Sequence, residues 1–89
     1  MQAHLLITGT VQGIGYRQFV KSHARKMGIT GWVKNLPDGS VEAILQGDTA
    51  KIEEMITLCK KGPFLAEVKD VEVLWEEATS TFDSFTILV

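Results

Sequence analysis

The stretch Gly9-Thr10-Val11-Gln12-Gly13-Ile14-Gly15-Tyr16-Arg17 is a glycine turn between an apolar run and a helical pattern that opens with an arginine. Such a turn can aim several backbone N–H groups at one point, and the helix dipole adds positive potential there. Gly13 and Gly15 permit close approach of an oxyanion, because no Cβ stands in its way. Arg17 falls in the first turn of the helix, where a cation opposes the dipole at a cost of about 0.3–1 kcal/mol. A guanidinium suits a phosphoryl group there, since its planar fork donates two parallel hydrogen bonds. The chemistry on offer is anion binding. A plainer reading stays open on these residues alone: strand–glycine–helix turns are common, and a first-turn arginine can simply point into water.

Three familiar motifs are excluded. No Gly-Lys-Ser/Thr follows the glycines, so this is not a nucleotide P-loop. A dinucleotide fingerprint needs a further glycine and a longer unit. Gly13-Ile14-Gly15-Tyr16 echoes the aromatic RNA-recognition motif, yet it precedes a helix rather than lying on a central strand.

The second segment is Gly31-Trp32-Val33-Lys34-Asn35, running into Leu36-Pro37-Asp38-Gly39-Ser40-Val41. Asn35 closes a strand just before a turn, where asparagine commonly bonds its own backbone. A neutral amide also donates to and accepts from a water, holding it without taking its proton. Residue physics alone leans to the turn role.

The elements that must position these groups follow from periodicity. Residues 4–11 (HLLITGTV) are apolar and β-branched, the pattern of a buried strand. From Tyr16 the period changes: Tyr16, Phe19, Val20, Ala24 and Met27 form the stripe of an amphipathic helix, and Gly28 is its stop. Residues 29–35 and 40–46 predict two strands joined through Pro37-Asp38-Gly39 as a hairpin. Asp48 or Thr49 can cap a second helix with Ile52, Met55, Ile56 and Cys59 on its apolar stripe. Lys60 and Lys61 suit its last turn, and Gly62-Pro63 closes it. Val71, Val73 and Trp75 alternate in a fourth strand, and Phe85, Ile87 and Val89 in a short fifth. The expected fold is α+β: a ferredoxin-like βαββαβ sandwich with a small, mainly antiparallel sheet. Two helices lie on one face, and a short extra strand ends the chain. That fold hosts many functions and decides none.

Composition narrows the class. Eighty-nine residues read as a single domain over 1–89; a chain this size buries only about 60–65% of its unfolded surface. Hydrophobic residues are 45% and charged residues 22%, which are globular rather than disordered values. The formal charge of -2 argues against a non-specific nucleic-acid binder, so an anionic partner needs a local positive site. Cys59 is alone, which rules out an internal disulfide and suits a reducing compartment. His4 and His23 lack the spacing of a metal pair. No apolar run reaches the ~18 residues a membrane span needs. No basic leader region precedes the first strand, and the expected location is cytoplasmic.

Together the two segments resemble the acylphosphatase family. The match is Gly-x-Val-Gln-Gly-Ile-x-Tyr-Arg at Gly9 to Arg17, then Gly31-Trp32-Val33-x-Asn35 and Asp38-Gly39-x-Val41. Gly62-Pro63, Ala66-x-Val68 and Val71 also fit, so the resemblance covers essentially the whole chain. Ile14 and Tyr16 stand where Val and Phe are more usual, and both changes are conservative. The resemblance implies a hydrolase that splits acyl phosphates into a carboxylate and inorganic phosphate, without metal or cofactor. It assigns Arg17 to the phosphate and Asn35 to the attacking water. It gives the backbone amides of Gly13, Ile14, Gly15, Tyr16 and Arg17 to the cradle. The partners it implies are small-molecule acyl phosphates and inorganic phosphate, with no nucleic acid and no membrane, and the expected state is monomeric.

The remaining candidates read as structural. His23 borders the first helical stripe, Cys59 sits on a core stripe, and Trp32 and Trp75 pack. Lys34 is a solvated lysine or an aid to anion steering, and Lys51, Glu53 and Glu54 make a solvent face. Two alternatives to the hydrolase stand: a non-catalytic ferredoxin-like regulatory or assembly module that binds an anion, and an RNA-binding domain.

Overall fold

The computed structural model describes residues 1–89. Its elements are β1 (Gln2–Thr10), α1 (Tyr16–Lys26), β2 (Thr30–Asn35), β3 (Val41–Gln46), α2 (Thr49–Lys61), β4 (Glu67–Glu76) and β5 (Phe85–Ile87). The sheet runs β4-β1-β3-β2-β5. Neighbouring strands are antiparallel except β2 and β5, which pair in parallel from Gly31↔Phe85 to Val33↔Ile87. The expected ferredoxin-like sandwich is therefore present, with β1 and β3 at its centre.

Alternation decides which face is buried. Ala3, Leu5 and Ile7 of β1 and Val41, Ala43 and Leu45 of β3 are fully buried. They join Val20 and Ala24 of α1 and Ile52, Met55 and Cys59 of α2 in one core. The opposite face is mixed: Leu6, Ile44 and Leu74 lie on it beside His4, which is 2.6 Å from Glu42, and Lys34, which is 3.6 Å from the same carboxylate. Burying a side chain such as Leu5 or Ile7 contributes about 1.5–3 kcal/mol each. Periodicity thus sets both the sheet's register and the side on which the helices dock.

Local chemistry ends the elements as their residues suggest. Gly28 N–H donates to the Arg25 carbonyl at 3.2 Å and Ile29 N–H to the Ala24 carbonyl at 2.9 Å, a Schellman closure of α1. Asp48 occupies the N-cap position of α2, but its side chain makes no capping bond. In the β2–β3 turn, Asp38 accepts from the Ser40 hydroxyl at 2.5 Å and from its N–H at 3.0 Å. Those bonds hold the Asp38 carboxyl below its usual range.

Strand boundaries differ from the sequence expectation: β2 and β3 each start one residue late, at Thr30 and Val41, and β5 stops at Ile87, short of Val89, while β1 and β4 depart further. β1 starts at Gln2, and Val11 has already left the ladder. β4 begins at Glu67 instead of Val71, because it follows β1 past a bulge at Thr8/Gly9. The bulge skips Lys69, so Val68 and Val71 both turn inward although they are three residues apart. Strict alternation fails there for that reason.

Gly31 shows how tightly the central strands fit. Its φ is 136°, and a Cβ added there would run into the carbonyl oxygen of Ile44. Backbone strain of this kind costs about 1–3 kcal/mol before any clash is counted. Gly31→Ala is expected to lower stability in urea by at least that amount; a midpoint within experimental error of the parent would contradict the close approach.

Candidate active site

The cradle is built from two left-handed glycines around one ordinary residue. Gly13 has φ 76° and Gly15 φ 81°, whereas Ile14 between them has negative φ. Alternating handedness turns successive N–H groups toward a common concave side, the geometry of an anion-binding nest. Gly15 is also the N-cap of α1 and offers no side chain to satisfy the helix. The first capping bond runs from the Phe19 N–H to the Gly15 carbonyl at 3.0 Å. No loop or cap bond takes up the N–H groups of Gly13, Ile14, Gly15, Tyr16 or Arg17. These are the donors that a helix start leaves open.

Arg17 is half-buried at the same place. The first turn of α1 carries no acidic residue, and none of the protein's four ion pairs includes the Arg17 guanidinium. Gly13, Gly15, Tyr16 and Arg17 line a single open cavity of about 390 Å³ with Val11, Gln18 and Ile87. The structure therefore brings Gly13, Gly15, Tyr16 and Arg17, but not Ile14, which packs against the core, around one space. Its walls supply donors and positive charge and no carboxylate, so it favours a small oxyanion.

Only the backbone of Tyr16 serves this space. Its side chain is buried, and its hydroxyl donates to the Cys59 carbonyl at 2.7 Å, tying the start of α1 to the end of α2. Burial raises the Tyr16 phenol well above its ordinary range. The Cys59 thiol is pushed up to about 12 by burial, which leaves it an inert core group.

Asn35 does not line that cavity, but the strand places it beside the wall. Val33 is buried on the inner face, and Asn35 two residues on shares that face. Val33 pairs with Ile87, which lines the cavity. Asn35 thus lies one inward step, about 6.6 Å along the strand, beyond that pair. Its Oδ1 is buried and accepts no hydrogen bond from the protein. An unsatisfied buried polar group costs about 1–3 kcal/mol and calls for a reason.

Gln12 is the residue that sequence reasoning passed over. Its side-chain amide donates to the Leu36 carbonyl at 2.9 Å and to the Ser40 carbonyl at 2.7 Å. It joins the loop before Gly13 to the hairpin after Asn35. No periodicity or spacing signals a bond across 24 and 28 residues; only its place in the Gly-x-Val-Gln-Gly match pointed to it.

The other candidates fall away from the site. Lys34 lies on the outer sheet face, 3.6 Å from Glu42 and 5.3 Å from the centroid of the Trp32 ring. The His23 ring packs against Phe19 with centroids 4.5 Å apart, and Trp75 packs on the core. No helix is long and apolar enough to cross a membrane.

Comparison with known proteins follows the same geometry. The family model described as Acylphosphatase matches residues 3–87. An acylphosphatase of Thermococcus kodakarensis is 52% identical over 77 residues, spanning 86% of this chain and 85% of its own length. One from Chloroflexus aurantiacus is 42% identical over 88 residues, spanning 99% and 96%. The crystal structure of acylphosphatase from Bacillus subtilis is similar with a TM-score of 0.96 at 32% identity, covering 99% of this chain and 98% of that one.

Proposed function

Since the chain belongs to the acylphosphatase family and hydrolyses acyl phosphates, we propose that Arg17 and the loop amides hold the phosphoryl group while Asn35 orients the attacking water. One observation carries this assignment. Gly13, Gly15, Tyr16 and Arg17 line one cavity, with loop N–H groups that take no protein acceptor and an arginine that has no ion-pair partner, which supports this reading of the phosphate site.

The proposed chemistry balances with few groups. The water oxygen forms a bond to phosphorus as the bond from phosphorus to the acyl oxygen breaks. The carboxylate departs with the electron pair, and the water's proton leaves with the phosphate product or to solvent. A carboxylate is a weak base, so no general acid is required. Phosphoryl transfer asks mainly for positioning and for stabilisation of charge on the equatorial oxygens. Arg17 and the amides of Gly13, Ile14, Gly15, Tyr16 and Arg17 supply the charge stabilisation. Asn35, one inward step along β2 from the Val33–Ile87 pair at the cavity wall, orients the water through its neutral side-chain amide. The route calls on no metal and no cofactor.

The same reading treats residues 1–89 as one catalytic domain that works as a cytoplasmic monomer without nucleic acid. The net charge of -2 and the lone, buried Cys59 support it. Inorganic phosphate offers the cradle the same oxygens as the substrate. It is expected to inhibit hydrolysis of benzoyl phosphate competitively, raising KM and leaving kcat unchanged. Purely uncompetitive inhibition would place phosphate elsewhere and contradict the cradle.

A further inference from the structure

We infer that Gln12 is a positioning residue for the reaction: its side-chain amide braces the mouth of the β2–β3 hairpin against the phosphate loop and so fixes Asn35 relative to the cradle. The inference rests on the proposed role of Asn35 in orienting water.

The orientation of the Gln12 amide is determined by its partners. Both contacts, at 2.9 Å and 2.7 Å, are to carbonyl oxygens, which only accept. The NH2 group must face them, and both of its hydrogens are used. One end of the side chain is rooted next to Gly13, the first residue of the cradle. The other grips Leu36, the residue after Asn35, and Ser40, which leads into β3 at Val41. A single side chain therefore connects the parts assigned to the phosphoryl group and to the water.

The hairpin does not need Gln12 in order to close. Leu36 N–H already donates to the Ser40 carbonyl at 2.8 Å, and Gly39 N–H to the Leu36 carbonyl at 3.2 Å. Gln12 is the second donor on each oxygen, filling a lone pair that an exposed turn would leave to water. Removing it leaves the turn's own bonds in place and loses the spacing between loop and hairpin. A displacement of about 1 Å at a reacting geometry can cost a hundredfold in rate. The Gln12 strut is suited to prevent such a displacement.

The test is a double-mutant cycle on phosphate release from benzoyl phosphate, with Gln12→Met as the near-isosteric variant lacking donors. Gln12→Asn, which stays neutral but is too short to reach both carbonyls, is the second variant should the first fold poorly. Either is expected to lower kcat about ten- to a hundredfold while the inhibition constant of inorganic phosphate stays within about twofold. In an Asn35→Ala background the same change is expected to alter kcat by less than about twofold, because the group it positions is gone. Equal losses in both backgrounds, or an unchanged kcat in the parent background, would overturn the inference. So would a weakening of phosphate inhibition in step with kcat, since the strut would then serve the cradle alone. If Asn35→Ala itself keeps full kcat, the reading of Asn35 falls and takes the inference with it; that outcome is seen in the single variant, apart from any result at Gln12.

Discussion

Arg17→Ala is expected to lower kcat/KM for an acyl phosphate by about two to three orders of magnitude, the usual cost of removing one well-placed electrostatic donor. Arg17 is half-buried, lines one cavity with Gly13, Gly15 and Tyr16, and has no carboxylate in the first turn of α1. The loss should therefore fall on phosphoryl binding and transition-state charge rather than on folding. A cation at a helix N-terminus costs about 0.3–1 kcal/mol, so the variant should be as stable as its parent or slightly more. Competitive inhibition by phosphate should weaken in parallel. Arg17→Lys restores the charge without the planar fork, and partial recovery is expected. Steady-state kinetics with thermal unfolding of the same samples checks both parts. Parent-like turnover in Arg17→Ala would remove the arginine from the site.

Asn35→Ala is expected to lose about a hundredfold in kcat with little change in the inhibition constant of phosphate, because it removes orientation of the water and leaves the cradle intact. Its effect on stability carries an unusual sign. The buried Oδ1 has no partner in the protein, and an unmet acceptor costs about 1–3 kcal/mol. Truncation should hold or raise the unfolding midpoint while activity falls. A strained or unsatisfied group retained at a reacting centre commonly trades in this direction. A variant that lost stability and activity together would instead mark Asn35 as the turn residue that its sequence context suggests.

The sequence exposed some levels of the structure more fully than others. The α1 stripe from Tyr16 to Met27, the Asp38-Gly39 turn and the alternation of β1 and β3 were legible because each is a local pattern that burial enforces. The early start of β4 was not, since a bulge at Thr8/Gly9 breaks the period that reveals a strand. At the site, Gly13, Gly15 and Arg17 stood out because glycine pairs and an arginine against a dipole are costly without a use. Asn35 was ambiguous, because turn propensity and water binding ask for the same residue. The unpaired, buried Oδ1, a tertiary property, is what supports the water role proposed for it. The role of Gln12 was hidden for the same reason: its bonds span the loop and the hairpin. Tyr16 was marked as a conservative change, and the structure gives its extra hydroxyl a use in the bond to the Cys59 carbonyl.

Hydrolysis of benzoyl phosphate in water enriched with oxygen-18 tests the central claim most directly, because it reports which atom the water attacks. A cradle that holds the phosphoryl group for in-line displacement makes phosphorus the electrophile. The label is expected in inorganic phosphate, with none in benzoate beyond solvent background. Label in the benzoate carboxyl group would mean attack at the carbonyl carbon, and would contradict the roles given to Arg17, Asn35 and the Gly13–Arg17 amides.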